Sequence, residues 1–219
     1  MFEELLWSKD IFLRGMADHS HFSVPYWRDF ISKSGGVRGT RENCLKLMAA
    51  GENIGVYPGG GREVAKRRGE AYKLFWYKRT GFVRMAIEGG YQIMPFAAVG
   101  SESMFSIVLD ADDIMGSSLG RMLKRRGTLK DTGFKDGEHL PPVVRGIGPR
   151  IFPRPEKLYF SFGKPISTKA LKGRQDDEKA LLKLQAKVAD SVSGQIRELL
   201  LVREQDTDKG LWRKLLTRL

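Results

Sequence analysis

The run Pro58-Gly59-Gly60-Gly61 sets the tightest limit on what this chain can fold into. It follows a β-rich run at 53–57 and precedes a helical pattern at 80–88, so extended chain must stop there and turn. The same alternation recurs on both sides. Ile11-Phe12-Leu13 reads as a first strand, and Thr40 caps a helix running to residue 50 on which Cys44, Leu47 and Met48 share a face. Gly51 stands ready to end that helix in a left-handed conformation. The 80–88 helix places Phe82, Met85 and Ala86 on one face and ends at Gly89-Gly90. Runs at 93–99, 105–109 and 158–162 complete the strands, separated by an irregular, exposed stretch at 116–154. From 178 to 204, Leu181, Leu184, Val188, Val192 and Leu199 recur at helical spacing. The expected fold class is therefore α/β, a mixed β-sheet covered by helices, with a long C-terminal amphipathic helix. One domain is expected over residues 1–219, with 176–219 its C-terminal helical region.

Composition narrows the class of partner. The chain has 219 residues, enough for a sizeable core, and 41% of them are hydrophobic. Lys and Arg number 38 against 26 Asp and Glu, a net charge of +12, which favours an anionic partner: nucleic acid, acidic lipid headgroups or phosphorylated metabolites. Cys44 is the single cysteine, so no intramolecular disulfide forms and a reducing, cytosol-facing location is the default. The densest apolar run, 93–99, contains Pro95 and falls well short of the roughly 18 residues that span a bilayer. Any meeting with a membrane is expected at its surface.

The glycine turn carries the chemistry. A strand ending in glycines followed at once by Arg62 and Glu63 brings backbone N–H groups and a guanidinium together, which suits an oxyanion or phosphate, although a plain surface turn explains the same residues. It is not a Walker loop, because no Gly-Lys-Ser/Thr follows. Lys66, Arg67 and Arg68 could hold the phosphates of coenzyme A or form a solvated basic loop. In 73–79, Lys73, Lys78 and Arg79 interleave with Phe75, Trp76 and Tyr77, a pattern that suits bilayer headgroups or, for the aromatics, a core. In 210–219, Leu211, Trp212, Leu215, Leu216 and Leu219 share a helix face beside Arg213, Lys214 and Arg218, which reads equally as an interfacial helix or one docked on the core.

Two blocks flank this turn, Arg14-Gly15-Met16-Ala17-Asp18-His19-Ser20-His21-Phe22-Ser23-Val24-Pro25 and Gly39-Thr40-Arg41-Glu42-Asn43-Cys44. With Pro58-Gly59-Gly60, Arg62-Glu63, Ile93-Met94-Pro95-Phe96 and Phe162-Gly163-Lys164-Pro165-Ile166, they resemble the glycerolipid O-acyltransferases. The likeness is to the group of transmembrane protein 68 and its bacterial relatives, near the mono- and diacylglycerol acyltransferases. In that superfamily the phosphate-acceptor enzymes carry Pro-Glu-Gly-Thr-Arg at this turn, and the neutral-acceptor branch carries Pro-Gly-Gly with a following Glu, as here. The resemblance implies a glycerol-3-phosphate acyltransferase-like fold and transfer of a fatty acyl group from acyl-CoA to a mono- or diacylglycerol, less readily a lysophospholipid. It implies substrate binding by Pro58, Gly59, Gly60, Gly61, Arg62 and Glu63. It implies no cofactor or metal, acyl-CoA as co-substrate, and association with anionic lipid at the cytoplasmic face of a membrane.

The family's base is a histidine oriented by an aspartate five residues later, because a neutral hydroxyl is a poor nucleophile without general-base help. Five residues beyond His19, His21 and His139 stand Val24, Tyr26 and Val144. The motif is therefore expected upstream of Met1, in an amino-terminally truncated enzyme, and the chain alone is expected to be inactive. His19 or His21 oriented by Asp18 is the alternative base, against a bland reading in which both sit in a packed loop beside Phe22, Val24 and Pro25. A lipid-binding paralogue without catalysis and a basic nucleic-acid-binding module complete the alternatives; no nucleic-acid signature is present to support the last.

Overall fold

The computed structural model describes residues 11–125, 140–148 and 151–207. It shows a mixed α/β chain with three small sheets and one long helix, arranged as two compact units interleaved along the sequence.

The first unit comprises Met1–Pro58, Trp76–Pro95 and Lys164–Asp190. Its sheet is parallel, in the order β2-β1-β3, with β1 at Leu13–Ala17, β2 at Gly36–Arg38 and β3 at Asn53–Gly55. Gly15 of β1 pairs with Gly36 on one side and Gly55 on the other. The first strand thus starts where the expected one ends, and runs through the Arg14-Gly15-Met16-Ala17 block.

Parallel neighbours need crossovers. The first crossover carries a 3-10 turn, His19–Ser23, and α1, Trp27–Lys33, neither of which the alternation of the sequence announced. The second is α2, Arg41–Ala49. Thr40 caps it as expected, its hydroxyl accepting the Asn43 N–H at 3.2 Å, and Gly51 leaves it at φ +76°. Cys44 is buried on α2, and burial pushes its thiol pKa up, which keeps it protonated and unreactive.

Also in this unit, α4 covers Gly81–Glu88 and buries Val83, Ala86 and Ile87, one residue round from the expected stripe. Trp76 is 7% exposed and meets Phe82 edge-on at 5.6 Å, so the aromatic at the heart of the 73–79 motif belongs to the core. Gln185 donates from Nε2 to the Tyr77 carbonyl at 2.8 Å, and Thr168 donates to the Tyr91 carbonyl at 2.7 Å.

The second unit comprises Gly59–Phe75, Phe96–Gly163 and Ser191–Leu219. It contains the one-turn α3, Gly60–Val64, and two antiparallel pairs. In one, β4 at Phe96–Val99 pairs with β7 at Tyr159–Phe162; in the other, β5 at Ser106–Leu109 pairs with β6 at Val143–Arg145. The single strand expected at 93–99 is two pieces. Pro95 cannot donate to a ladder, so Ile93 bridges Ile166 in the first unit and the chain resumes at Phe96 in the second.

The stretch 116–154 is also more regular than expected: α6 spans Ser118–Arg125, directly after α5, Ala111–Gly116. Asp110 starts α5 with a capping box, accepting the N–H groups of Asp112 and Asp113 while Asp113 accepts its own at 3.0 Å.

The last helix, α7, runs Glu178–Gln205, within a residue of the expected end, and Leu181, Leu184, Val188, Val192 and Leu199 are all buried. Among the described residues no helix is long and apolar enough to cross a membrane. The amphipathic pattern at 210–219 lies outside the described residues.

Candidate active site

Gly60 is favoured by its own backbone and Gly59 by a neighbouring side chain. Gly60 sits at φ +54°, the left-handed region a β-carbon disfavours. Gly59 has an ordinary φ of −69°, but a β-carbon there would fall on the carboxylate of Glu63. Glu63 therefore folds back across the glycines, and its Oε1 accepts the Phe75 N–H at 2.9 Å. Gly60 and Gly61 are exposed, leaving bare backbone at the tip of the turn.

Arg62 turns the other way. It is only 4% exposed, lies 4.1 Å over the Phe75 ring, and pairs through Nη2 with Glu70 Oε1 at 2.5 Å. Nη1 donates to the Ala65 carbonyl at 3.2 Å, and Glu70 also accepts the Arg67 N–H at 2.7 Å. The hydrogen bond from Arg62 holds the Glu70 carboxyl below its ordinary pKa, so the pair stays ionised at neutral pH. The guanidinium expected to meet an anion is thus committed to the loop's interior, where it positions the turn.

The basic triplet is engaged with carboxylates as well. Lys66 meets Glu102 at 2.5 Å, Arg67 meets Asp112 at 3.0 Å, and Arg68 meets Asp113 at 3.0 Å and donates to the Val108 carbonyl. Glu102 accepts the Tyr72 N–H at 2.7 Å with its other oxygen, and the Tyr72 hydroxyl accepts from Arg203 at 3.1 Å. These ties hold Tyr72 at φ +59°, a conformation that costs a tyrosine about 1 to 3 kcal/mol. Asp110 is held below its usual carboxylate range by backbone N–H groups, first that of Asp113. A network of ion pairs and carboxylate hydrogen bonds braces the segment Gly59–Phe75. Nothing in the local sequence announces it, because Arg62 and Glu70 are eight residues apart without a periodic relation.

Of the three histidines, two are described. His19 Nδ1 lies 3.4 Å from Asp18 Oδ1, and His21 Nδ1 accepts the Trp27 indole N–H at 3.2 Å. The packed loop expected around them is an exposed knuckle: both imidazoles face solvent, and Val24 is 52% exposed. Pro58, on the first unit, accepts from Arg79 at 3.4 Å.

The family model for diacylglycerol acyltransferase matches residues 9–172, three quarters of the chain and the whole of the glycine turn. The chain belongs to the diacylglycerol acyltransferase family. The chain is also similar to phytyl ester synthases 1 and 2 of Arabidopsis thaliana, both chloroplastic. The first is 32% identical over 94% of this chain and 31% of its own length, the second 31% identical over 97% and 32%. A bovine "DGAT1/2-independent enzyme synthesizing storage lipids" is 33% identical over 37% of this chain and 24% of its own. The chain spans about a third of the length of the phytyl ester synthases it matches. No solved structure matches.

Proposed function

We propose that this chain is the acyl-transfer part of a membrane-associated enzyme that moves a fatty acyl group from acyl-CoA to a glycerolipid hydroxyl. The observation that carries the reading is the family match across 9–172, which takes in a glycine turn whose tip is bare backbone. In the reaction the acceptor oxygen attacks the thioester carbonyl, a base removes the hydroxyl proton, and the C–S bond breaks to release coenzyme A as its thiol. Gly60 and Gly61 offer the acceptor close approach; Arg62 and Glu63 act through the turn, one anchoring it to Glu70 and the other to Phe75. The glycerol-3-phosphate acyltransferase-like fold and a cytoplasmic-face location belong to the same proposal. Lys66, Arg67 and Arg68 would bind coenzyme A phosphates only by exchanging their carboxylate partners.

No His-x4-Asp pair occurs in the chain, so this reading assigns the base to residues amino-terminal to Met1. A second acceptor class, a long-chain alcohol, is favoured by the phytyl ester synthases, which match over nearly the whole chain.

The test pairs the 219-residue chain with a version extended upstream through a His-x4-Asp motif. Both are incubated with labelled acyl-CoA and, separately, diacylglycerol, monoacylglycerol and phytol. Label is expected in an ester product of the extended protein only. Robust turnover by the short chain would move the base to His19 or His21, and none by either would favour a lipid-binding protein without catalysis.

A further inference from the structure

In a parallel unit, a crossover helix ordinarily lays an apolar face on the sheet. The helix α1 does not: none of its residues is buried. Ile31 alone marks an inward side, its Cγ2 standing where a β-carbon on Gly36 would be. Most other apolar side chains of this crossover face water, with Tyr26 88% exposed, Phe30 59% and Trp27 46%. They are nevertheless ordered. Trp27 stacks on Phe30 with ring centroids 5.4 Å apart, its indole N–H is held by His21, and Tyr26 is thrown outward at φ +62°, a backbone cost that no buried contact offsets.

The same crossover and the strand it leads to carry basic groups. Arg28 pairs with its neighbour Asp29 at 3.1 Å, Lys33 is exposed at the end of α1, and Arg38 lies 5.6 Å over the Phe22 ring. Rings with an apolar body and polar edge, beside cations on flexible stems, fit the headgroup level of a bilayer. A second copy fits worse, because the carboxylates it brings to this patch, Asp18 and Asp29, are already paired with His19 and Arg28, whereas an anionic bilayer offers Lys33 and Arg38 free phosphates.

We propose that the knuckle at 24–30 docks this protein on an anionic lipid surface, with Val24, Tyr26, Trp27 and Phe30 entering the interface and Lys33 and Arg38 meeting lipid phosphates. This rests on the acyl-transfer reading for the need of a lipid surface and adds which face meets it.

The experiment measures co-sedimentation of the 219-residue chain with phosphatidylcholine vesicles, with and without phosphatidylserine, in the absence of acyl donor. The pair Trp27→Ser and Phe30→Ser should lower partitioning on both vesicle types about tenfold or more. Lys33→Glu should lower it several-fold on anionic vesicles only, and rising salt should do the same. Trp27→Phe should keep binding but remove part of the tryptophan quenching by brominated lipid, a readout independent of whether the double variant folds. Unchanged partitioning by a folded double variant together with unchanged quenching by Trp27→Phe would overturn the proposal. So would a wild-type dimer that the double variant converts to monomer without loss of vesicle binding. A protein extended upstream through the His-x4-Asp motif that is inactive yet still needs Trp27 and Phe30 for vesicles would sink the acyl-transfer reading alone; an active extended protein whose partitioning ignores them would sink the docking surface alone.

Discussion

Residues 59–75 and residues 19–33 invert each other. In the first, a segment dense in Arg, Lys and Glu ties most of its charges to partners: Arg62 is nearly as buried as a core valine, and each member of the Lys66-Arg67-Arg68 triplet, the exposed Arg68 included, has a carboxylate. In the second, aromatic side chains that composition alone would send to a core stand in water. The difference teaches that residue type sets only the cost of a placement. Charges go inside when partners are built at hydrogen-bond distance, and rings go outside when the backbone holds them there.

The sharpest way to break this comparison is to remove one buried charge. Arg62→Ala leaves Glu70 without its main partner and should cost about 2 to 3 kcal/mol, somewhat below a fully buried pair because water reaches Glu70, lowering the melting temperature by roughly 4–12 °C. If Arg62→Ala melts like wild type and loses only turnover, the guanidinium serves a ligand and the inward reading fails.

Gly60→Val should come next, at about 1 to 3 kcal/mol, since a β-branched residue is forced to positive φ. Thermal melting checks it, with Gly61→Ala as the comparison at the neighbouring exposed glycine.

Acid should then erase part of the Arg62 effect. Glu70 has a folded pKa below its ordinary 4.5, so the stability from the pair is present above that pH and is lost as pH falls through the lowered value. The melting gap between wild type and Glu70→Gln should narrow on moving from neutral pH to well below 4.5; a constant gap would show that Glu70 acts through packing.

The smallest effect belongs to the other region. Trp27→Ser and Phe30→Ser should each shift unfolding free energy by no more than about 0.5 kcal/mol, because neither side chain leaves water on folding to the degree a core residue does. A loss of several degrees in calorimetry would place both rings in a packed interior.

Much of the framework was legible in the sequence, for physical reasons. Thr40 and Gly51 bracket α2 by local chemistry alone, and α7 announces itself because its inward leucines and valines repeat over about five turns. Where the reading failed, two signals competed. Residues 93–99 look like one buried strand, and Pro95 divides them between two units. The helix α5 was visible in Asp110 and Asp113, three residues apart at a helix start, but lay hidden beside a glycine- and charge-rich stretch. The rotation of the α4 stripe from Phe82 and Met85 to Val83 and Ile87 depends on what packs against it, which periodicity does not carry. At the candidate site the glycines were readable, whereas the direction of Arg62 depended on Glu70, a tertiary fact.

The space above Gly59 ties two positions into one. Glu63 occupies the volume a side chain at 59 would take, so a carboxylate can approach this turn from position 59 or from position 63, but the two cannot share it unmoved. The phosphate-acceptor motif resembling this one carries its glutamate at the former place, the present chain at the latter. Gly59 and Glu63 therefore behave as one coupled position: a side chain at 59 is accommodated only where Glu63 swings away and gives up the Phe75 N–H.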